Sequence, residues 1–189
     1  YEPGFFPCTG SLEDTKKGKS IVNVPLLHGL DDDYLRLLIE KIIIPLVDKH
    51  EPEVLIIQCG GDGLIGDSYE EWQLTIRGLV ECITTVMKKF TKCSFVLLGG
   101  GGYNNTLMSR FYTYLTWKLL KMYEHDFSLT ESLEFGDDEL IPEHDYIDSY
   151  ADEYYKFWAY EQDGSLKKKT LRNDNVSTYV STLQNFYHI

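Results

Sequence analysis

The stretch VLIIQC, Val54 to Cys59, is a continuous apolar run, and the glycine-rich loop GGDGLIGD, Gly60 to Asp67, follows it directly. A second apolar run, Cys93 to Leu98, is followed in the same way by four glycines, Gly99 to Gly102. Short apolar runs without alternating polar residues are typical of strands in a parallel sheet that is covered by helices. These segments therefore predict an α/β fold in which each strand ends in a glycine-rich loop.

Helical periodicity fills the chain between the apolar runs. The predicted elements, in order, are a strand at Ser20–Pro25, a helix from Tyr34, a strand at Val54–Cys59, a helix at Thr75–Phe90, a strand at Cys93–Leu98, a helix at Thr106–Tyr123 and a closing helix with Val176, Tyr179, Val180, Leu183 and Phe186 on one face. Asp31 to Asp33 offer an N-cap and first-turn acids to the first helix, and Pro45 should kink that helix or begin its last turn. Alternation of strands and helices predicts a parallel sheet with helices on both faces.

Composition limits the classes of function. Lys and Arg number 18 against 30 Asp and Glu, so the formal net charge is −12. This balance argues against direct nucleic-acid binding, which needs a cationic surface, and it suits a basic partner such as a Lys-rich peptide. The longest apolar run, Ile42 to Val47, is far shorter than the roughly 20 residues of a membrane span, so we expect no membrane partner.

The chain of 189 residues fits one domain or a large piece of one. Its first residue is Tyr1 rather than Met, and we expect the interior-to-C-terminal piece of something longer. The four cysteines, Cys8, Cys59, Cys82 and Cys93, show no C-x-x-C spacing. We therefore expect reduced thiols in an intracellular protein rather than a zinc ribbon or a redox motif.

Asp62 and Tyr103 are the candidate site residues that topology alone suggests. Ligands of parallel sheets bind beyond the carboxyl ends of the strands, and both residues lie in the loops that follow strands. Asp62 can be a metal ligand, a helix N-cap or the residue of an Asx turn, and Tyr103 can enter the crevice or pack as an ordinary aromatic. The glycines form no nucleotide-binding motif, because Asn104 and Asn105 occupy the third glycine position in the two possible frames.

Three segments, FFPCTG at Phe5–Gly10, QCGGDGLIGD at Gln58–Asp67 and LGGGGY at Leu98–Tyr103, together resemble the zinc-dependent histone deacetylases of class I type. Their order and spacing match that family, and IPEHD at Ile141–Asp145 extends the likeness. The resemblance implies a single α/β domain of the arginase/deacetylase type. Residues 1–189 would then be the C-terminal part of this domain, with the N-terminal half absent from the chain.

The resemblance also implies roles for individual residues. Asp62 matches a ligand of the catalytic Zn²⁺, and Tyr103 matches the tyrosine that polarises the acetyl carbonyl and stabilises the oxyanion. Phe6 matches an aromatic wall of the channel that holds the acetyl-lysine stem. Zinc with three protein ligands keeps a position open for water and carbonyl. The other two ligands, an Asp and a His, and a proton-handling His-His pair are expected upstream of this chain, and a structural monovalent cation is a further expectation.

Other positions shape the substrate site. Gly101 and Gly102 should let the backbone approach the substrate closely, and Tyr69 should lie at the channel rim. Ser68 and Tyr69 follow Asp67 where many members of the family have Arg-Leu. Cys8 stands where the family usually has glycine.

Thr106 stands where corepressor-bound members carry an arginine that binds inositol phosphate. Because the arginines that other members carry at the positions of Ser68 and Thr106 are both missing, we do not expect a corepressor bridged by inositol phosphate. The pattern is closest to histone deacetylase 8-like enzymes and small fungal class I enzymes, a subgroup that includes deacetylases of the cohesin ring.

The function implied by the resemblance is hydrolysis of N6-acetyl-lysine in proteins, which releases acetate and regulates chromatin and transcription. The substrate would be a histone or a non-histone protein such as a cohesin subunit, in the nucleus or the cytoplasm, and activity would require the N-terminal half. One alternative is an acetylpolyamine deacetylase on the same fold. Another is a non-catalytic scaffold in a repressor complex, although a scaffold needs neither Asp62 nor Tyr103.

Overall fold

The computed structural model describes residues 8–18, 20–123, 135–161, 166 and 170–189. The helices are α1 (Asp32–Leu38), α2 (Ile44–His50), α3 (Ile76–Lys89), α4 (Asn105–Tyr123) and α5 (Thr178–Tyr187), the strands are β1 (Val54–Gln58) and β2 (Ser94–Leu98), and shorter helical segments are a π-helix at Ile39–Ile43 and 3₁₀ helices at Glu13–Lys17 and Ile147–Glu153. The α/β class and the order of β1, α3, β2 and α4 are as predicted. In this described part of the chain, no helix is both long and apolar enough to cross a membrane.

β1 and β2 pair in parallel, with Val54 opposite Ser94 and Gln58 opposite Leu98. α3 is the crossover between them. Side chains alternate between the two faces of the sheet, and Ile57, Phe95 and Leu97 pack against the hydrophobic core. The side chains of the other face are exposed; they are Val54, Ile56, Gln58, Ser94, Val96 and Leu98. The described residues therefore cover one face of this two-stranded sheet.

The predicted strand at Ser20–Pro25 is wrong, because this segment has no regular secondary structure. The hydroxyl of Tyr187 accepts a hydrogen bond from the N–H of Asn23 at 2.9 Å and donates one to its C=O at 2.6 Å. The side chain of Asn175 bonds the backbone of Leu27 in the same two-sided way, at 2.7 and 3.0 Å. Tyr187 thus satisfies the backbone groups of Asn23 that a strand would have paired, and Asn175 does the same for Leu27, just after the segment.

Pro45 lies in the first turn of α2, a seven-residue segment of about two turns, so it precedes the last turn that was predicted to begin there. Just before it the helix is π-helical, and the N–H of Ile44 donates to the C=O of Ile39. A proline ring lacks an N–H and clashes with the carbonyl four residues earlier in an ordinary α-helix. The wider turn relieves this clash, so the helical path continues to His50.

The start of α3 is fixed by side chains from distant parts of the chain. The Thr75 hydroxyl caps the helix by accepting from the N–H of Gly78 at 2.9 Å. The carboxylate of Asp32, in α1, accepts from both the hydroxyl and the N–H of Thr75, at 2.6 and 2.9 Å. Glu161 accepts from the N–H of Ile76 at 2.9 Å. These bonds hold α3 in the orientation that connects β1 to β2.

α5 buries Val180 and Leu183, as predicted for the closing helix. Val176 precedes this helix and is exposed, so its predicted place on the apolar face is wrong. The bonds between Asn175 and Leu27 hold the chain outside a helix at that point, and the helix begins only at Thr178.

Candidate active site

The two glycine-rich loops touch each other at the carboxyl ends of β1 and β2. The N–H of Cys59 donates to the C=O of Leu98 at 2.8 Å, and the N–H of Gly61 donates to the C=O of Gly101 at 2.7 Å. A Cβ on Gly100 would lie 2.7 Å from the Cα of Gly60. The sheet pairing therefore continues into the loops and holds them closer than larger residues would allow.

Asp62 and Gly101 are neighbours in this arrangement. The Asp62 side chain is exposed. A Cβ added to Gly101 would lie 2.7 to 3.0 Å from the carboxyl atoms of Asp62. The loop after β2 thus lies directly beside the Asp62 carboxylate, with Gly101 at the closest point.

Tyr103 projects from the second loop with 58% of its surface exposed. Its backbone N–H donates to Oδ2 of Asp67 at 2.6 Å, and its C=O accepts from the hydroxyl of Ser68 at 3.4 Å. The rings of Tyr103 and Tyr69 meet edge to face, with centroids 4.9 Å apart. Tyr69, predicted at the channel rim, therefore lies directly against the predicted catalytic tyrosine.

Asp67 is a site residue that the sequence analysis did not identify. It is 1% exposed, and its two oxygens accept from the N–H groups of Tyr103 and Tyr69, the latter at 3.3 Å. An Asp that ends a glycine-rich loop most often forms a turn, and nothing local distinguishes a turn from this long-range contact. The signal available was its place in the stretch that carries the family likeness.

Tyr112 is a second contributor that the sequence analysis missed. Its hydroxyl donates to the C=O of Cys59 at 3.1 Å and accepts from the N–H of Gly100 at 3.3 Å. The Tyr112 side chain, which belongs to α4, therefore links the two loops by one hydrogen bond to each.

Gly102 turns the chain from the loop into α4. Its φ is +132°, and a Cβ there would lie 2.2 Å from the sulfur of Met108. Both observations require glycine. Asn104 then caps α4, since its Oδ1 accepts from the N–H of Leu107 at 3.2 Å. The side-chain direction of Tyr103 is thus defined by a turn on one side and a helix start on the other.

A buried ion pair lies behind the site. Arg110, 1% exposed, pairs with Glu153, whose other oxygen accepts from the hydroxyls of Thr106 and Tyr160, each at 2.7 Å. Burial by itself would raise the pKa of Glu153, but the bonds from Arg110, Tyr160 and Thr106 outweigh it and lower that pKa. Glu153 is therefore a carboxylate at neutral pH. Thr106, the position noted for its missing arginine, is part of this cluster.

The remaining predicted positions are less informative. Phe6 lies outside the described residues. Cys8 has a φ of +63°, in the left-handed region that glycine favours, which agrees with the usual glycine at this place in the family. Within the described ranges, no group of three or more His, Cys, Asp and Glu side chains could hold a metal ion. Asp62 is thus not a zinc site by itself, because catalytic zinc takes three protein ligands.

Comparison with known proteins identifies the family of this chain. Residues 1–119 match the histone deacetylase domain family. Histone deacetylase HOS1 of Saccharomyces cerevisiae is 51% identical in an alignment 199 positions long, which covers 100% of this chain and 42% of the yeast protein. Histone deacetylase 8 of Xenopus laevis is 31% identical over 157 residues, which cover 82% of this chain and 44% of the frog protein. Histone deacetylase HDAC1 of Drosophila melanogaster is 29% identical over 184 residues, which cover 96% of this chain and 31% of the fly protein.

The chain spans less than half the length of these relatives, while the family match covers more than half of the chain. The match includes both glycine-rich loops, Asp62 and Tyr103. The predicted fold of the arginase/deacetylase type is confirmed with it. This chain belongs to the histone deacetylase family and is of the class I type.

Proposed function

We propose that this chain supplies Asp62 and Tyr103 to the active site of a protein lysine deacetylase, which hydrolyses N6-acetyl-lysine to lysine and acetate. The observation that carries the proposal is the meeting of the two loops at the ends of parallel strands, with Gly101 against Asp62 and Tyr103 two residues later. Clustered polar side chains at this edge of a parallel sheet are the usual place for chemistry.

Zn²⁺ fits this site in part. The exposed carboxylate of Asp62 is a suitable oxygen donor, and it supplies one of the three protein ligands that a catalytic zinc requires. When bound, zinc acts as a Lewis acid and lowers the pKa of its bound water. Because Gly101 has no side chain, it leaves room for the Asp62 carboxylate.

Tyr103 would act through its phenolic hydroxyl. A neutral phenol donates a hydrogen bond that strengthens as negative charge develops on the acetyl oxygen, and such donors contribute most when their position is set before the reaction. The bond from the Tyr103 N–H to buried Asp67 and the edge contact with Tyr69 support this role, because both restrict the backbone and ring of Tyr103.

We further propose that an N-terminal half completes the domain and contributes the other zinc ligands and the proton-handling histidines. Two observations support it: the described residues offer no complete metal site, and the open face of the sheet exposes four apolar side chains, Val54, Ile56, Val96 and Leu98. An apolar sheet face of this kind is normally covered in an α/β domain.

The substrate we propose is an acetyl-lysine in a basic protein segment, either a histone or a non-histone protein such as a cohesin subunit, in the nucleus or the cytoplasm. The net charge of −12 supports a Lys-rich partner. The hydroxyl of Thr106 is bonded to Glu153, and this position carries no cation for an inositol phosphate, so we propose an enzyme independent of such a corepressor.

The test compares the complete deacetylase domain with three variants in an acetate-release assay on an acetyl-lysine peptide. Tyr103→Phe and Asp62→Asn should each lower kcat/KM by about 100-fold or more, since each removes a group at the reacting atoms. Tyr34→Phe is the matched control, because it removes a hydroxyl that donates to Val176 C=O, in a part of the chain away from the two loops.

An unchanged rate in both site variants would contradict the mechanism. Faster turnover of an acetylated polyamine than of the peptide would favour the polyamine alternative. A folded, zinc-loaded domain that hydrolyses neither substrate would favour the scaffold.

A further inference from the structure

Tyr160 contacts both glycine-rich loops, at Gly66 and at Asn104, while lying outside the site itself. Its ring packs over Gly66, where a Cβ would lie 2.7 Å from the ring atoms. Its hydroxyl lies 3.4 Å from Nδ2 of Asn104, the residue that follows Tyr103. Gly66 precedes Asp67, the carboxylate that holds the N–H of Tyr103. The Tyr160 side chain thus contacts the two segments that hold Tyr103, namely the turn before Asp67 and the residue Asn104.

In the hydrogen bonds that join Glu153, Tyr160 and Asn104, the donor and acceptor of each bond can be assigned. Glu153 is a carboxylate held by Arg110 and can only accept, so the hydroxyl of Tyr160 must donate to it at 2.7 Å. Burial and the bond to Glu153 raise the pKa of Tyr160, which keeps that hydroxyl protonated. The oxygen of Tyr160 then presents its lone pair to Asn104.

The lone pair of the Tyr160 oxygen favours one of the two orientations of the Asn104 amide. Its Nδ2 faces Tyr160 and donates to the C=O of Gly66 at 3.0 Å. Its Oδ1 is left to accept from the N–H of Leu107, the bond that caps α4. With the opposite orientation, oxygen would face oxygen at Gly66 and the helix cap would be lost.

We infer that Tyr160, anchored by the Arg110–Glu153 pair, is a positioning residue for Tyr103. It fixes the orientation of Asn104 and packs against the turn that carries Asp67, so it holds both flanks of the Tyr103 backbone. The inference rests on the proposed function of Tyr103 but concerns residues outside the reacting site.

The test uses the complete deacetylase domain and a double-mutant cycle. Tyr160→Phe keeps the ring over Gly66 and removes the hydroxyl; we expect kcat to fall about three- to tenfold, the effect of one hydrogen bond, while KM changes less than about twofold. In the Tyr103→Phe background the same change should have no further effect, because there is no longer a hydroxyl to position. Tyr34→Phe is again the control for loss of a tyrosine hydroxyl, and should leave kcat unchanged in both backgrounds.

Asn104→Asp is the second variant, in case Tyr160→Phe impairs folding. Asp retains the acceptor that caps α4 and removes the donors to Gly66 and Tyr160. It should lower kcat at least as much, because a carboxylate oxygen would then face the C=O of Gly66, and it should likewise have no further effect in the Tyr103→Phe background. Unchanged kcat in the single variants, or equal losses with and without the Tyr103 hydroxyl, would overturn the inference. If Tyr103→Phe alone had no effect, the proposed function itself would fail, which is a distinguishable result.

Discussion

The backbone N–H of Tyr103 donates a 2.6 Å hydrogen bond to Oδ2 of Asp67, a carboxylate with 1% of its surface exposed. These two residues lie in different loops, each of which follows a strand of the parallel sheet. The bond ties the exposed tyrosine to the loop that carries Asp62. Because Asp67 is buried and acceptor-only, it holds the position of the Tyr103 backbone rather than acting on substrate.

Asp67→Asn should therefore reduce activity without removing any group that contacts the substrate. Asn has the same size but one acceptor oxygen in place of two, so one of the N–H groups of Tyr103 and Tyr69 loses its partner. A hydrogen bond to a charged group contributes about 1.5–3 kcal/mol, and we expect kcat/KM to fall about 10- to 100-fold. The measurement is steady-state deacetylation by the complete domain. Asp33→Asn, an exposed carboxylate on α1, is the control, and equal rates for the two variants would contradict the role of Asp67.

Gly101→Ala should displace the Asp62 carboxylate. The added Cβ would come within 2.7 to 3.0 Å of its atoms, and the side chain must move because the backbone of the loop is fixed by the bond to Gly61. A misplacement of about 1 Å is enough to cost about 100-fold in rate. We expect lower bound zinc and lower kcat/KM in the complete domain, with little change in melting temperature.

Gly99→Ala is the matched control for Gly101→Ala. Its Cβ would meet only the hydroxyl of Tyr112, at 3.4 Å, which is ordinary van der Waals contact. Full zinc content and activity in Gly101→Ala would show that Asp62 does not depend on this close approach.

The contrast between Asp62 and Asp67 shows what the sequence can predict. Parallel strands bring the loops after them to one edge, so the contact between the loop of Asp62 and the loop of Tyr103 follows from β1, α3 and β2, which strong periodicity reveals. Contacts between residues far apart in the chain leave no periodic signal. The bonds between Tyr187 and Asn23, separated by 164 positions, replaced a predicted strand for this reason. The buried roles of Asp67 and Glu153 likewise depend on partners that only the folded chain brings near.

Glu161 gives the domain a stability that depends on pH near neutrality. Its side chain is 11% exposed and accepts from the N–H of Ile76, and burial raises its pKa from 4.5 to about 7. Between these values the folded state holds a proton that the unfolded state has released. This contribution to stability is therefore fully present below about pH 4.5 and is lost as the pH rises through 7, by about 3 kcal/mol in total.

Glu161→Gln should flatten this dependence. Urea unfolding of the complete domain between pH 5 and pH 8 should show a fall in the free energy of unfolding for the parent and a smaller fall for the variant. Asp32, whose pKa is raised mainly by burial, contributes in the same direction. Glu81→Gln, an exposed acid on α3, is the control and should keep the full slope. Equal slopes in Glu161→Gln and the parent would contradict the assignment to Glu161.

Ile56→Ser tests whether the open face of the sheet is covered in the complete domain. Ile56 is 65% exposed among the described residues, and substitutions of exposed side chains usually change stability by less than about 0.5 kcal/mol. If the proposed N-terminal half packs on this face, Ile56 becomes a core residue, and the loss should be about 2–4 kcal/mol. The measurement is the free energy of unfolding of the complete domain. Val176→Ser, an apolar side chain of similar exposure away from the sheet, is the control and should cost little. A small loss for both variants would mean that the sheet face remains in contact with solvent, and the proposed N-terminal half would then have to bind elsewhere.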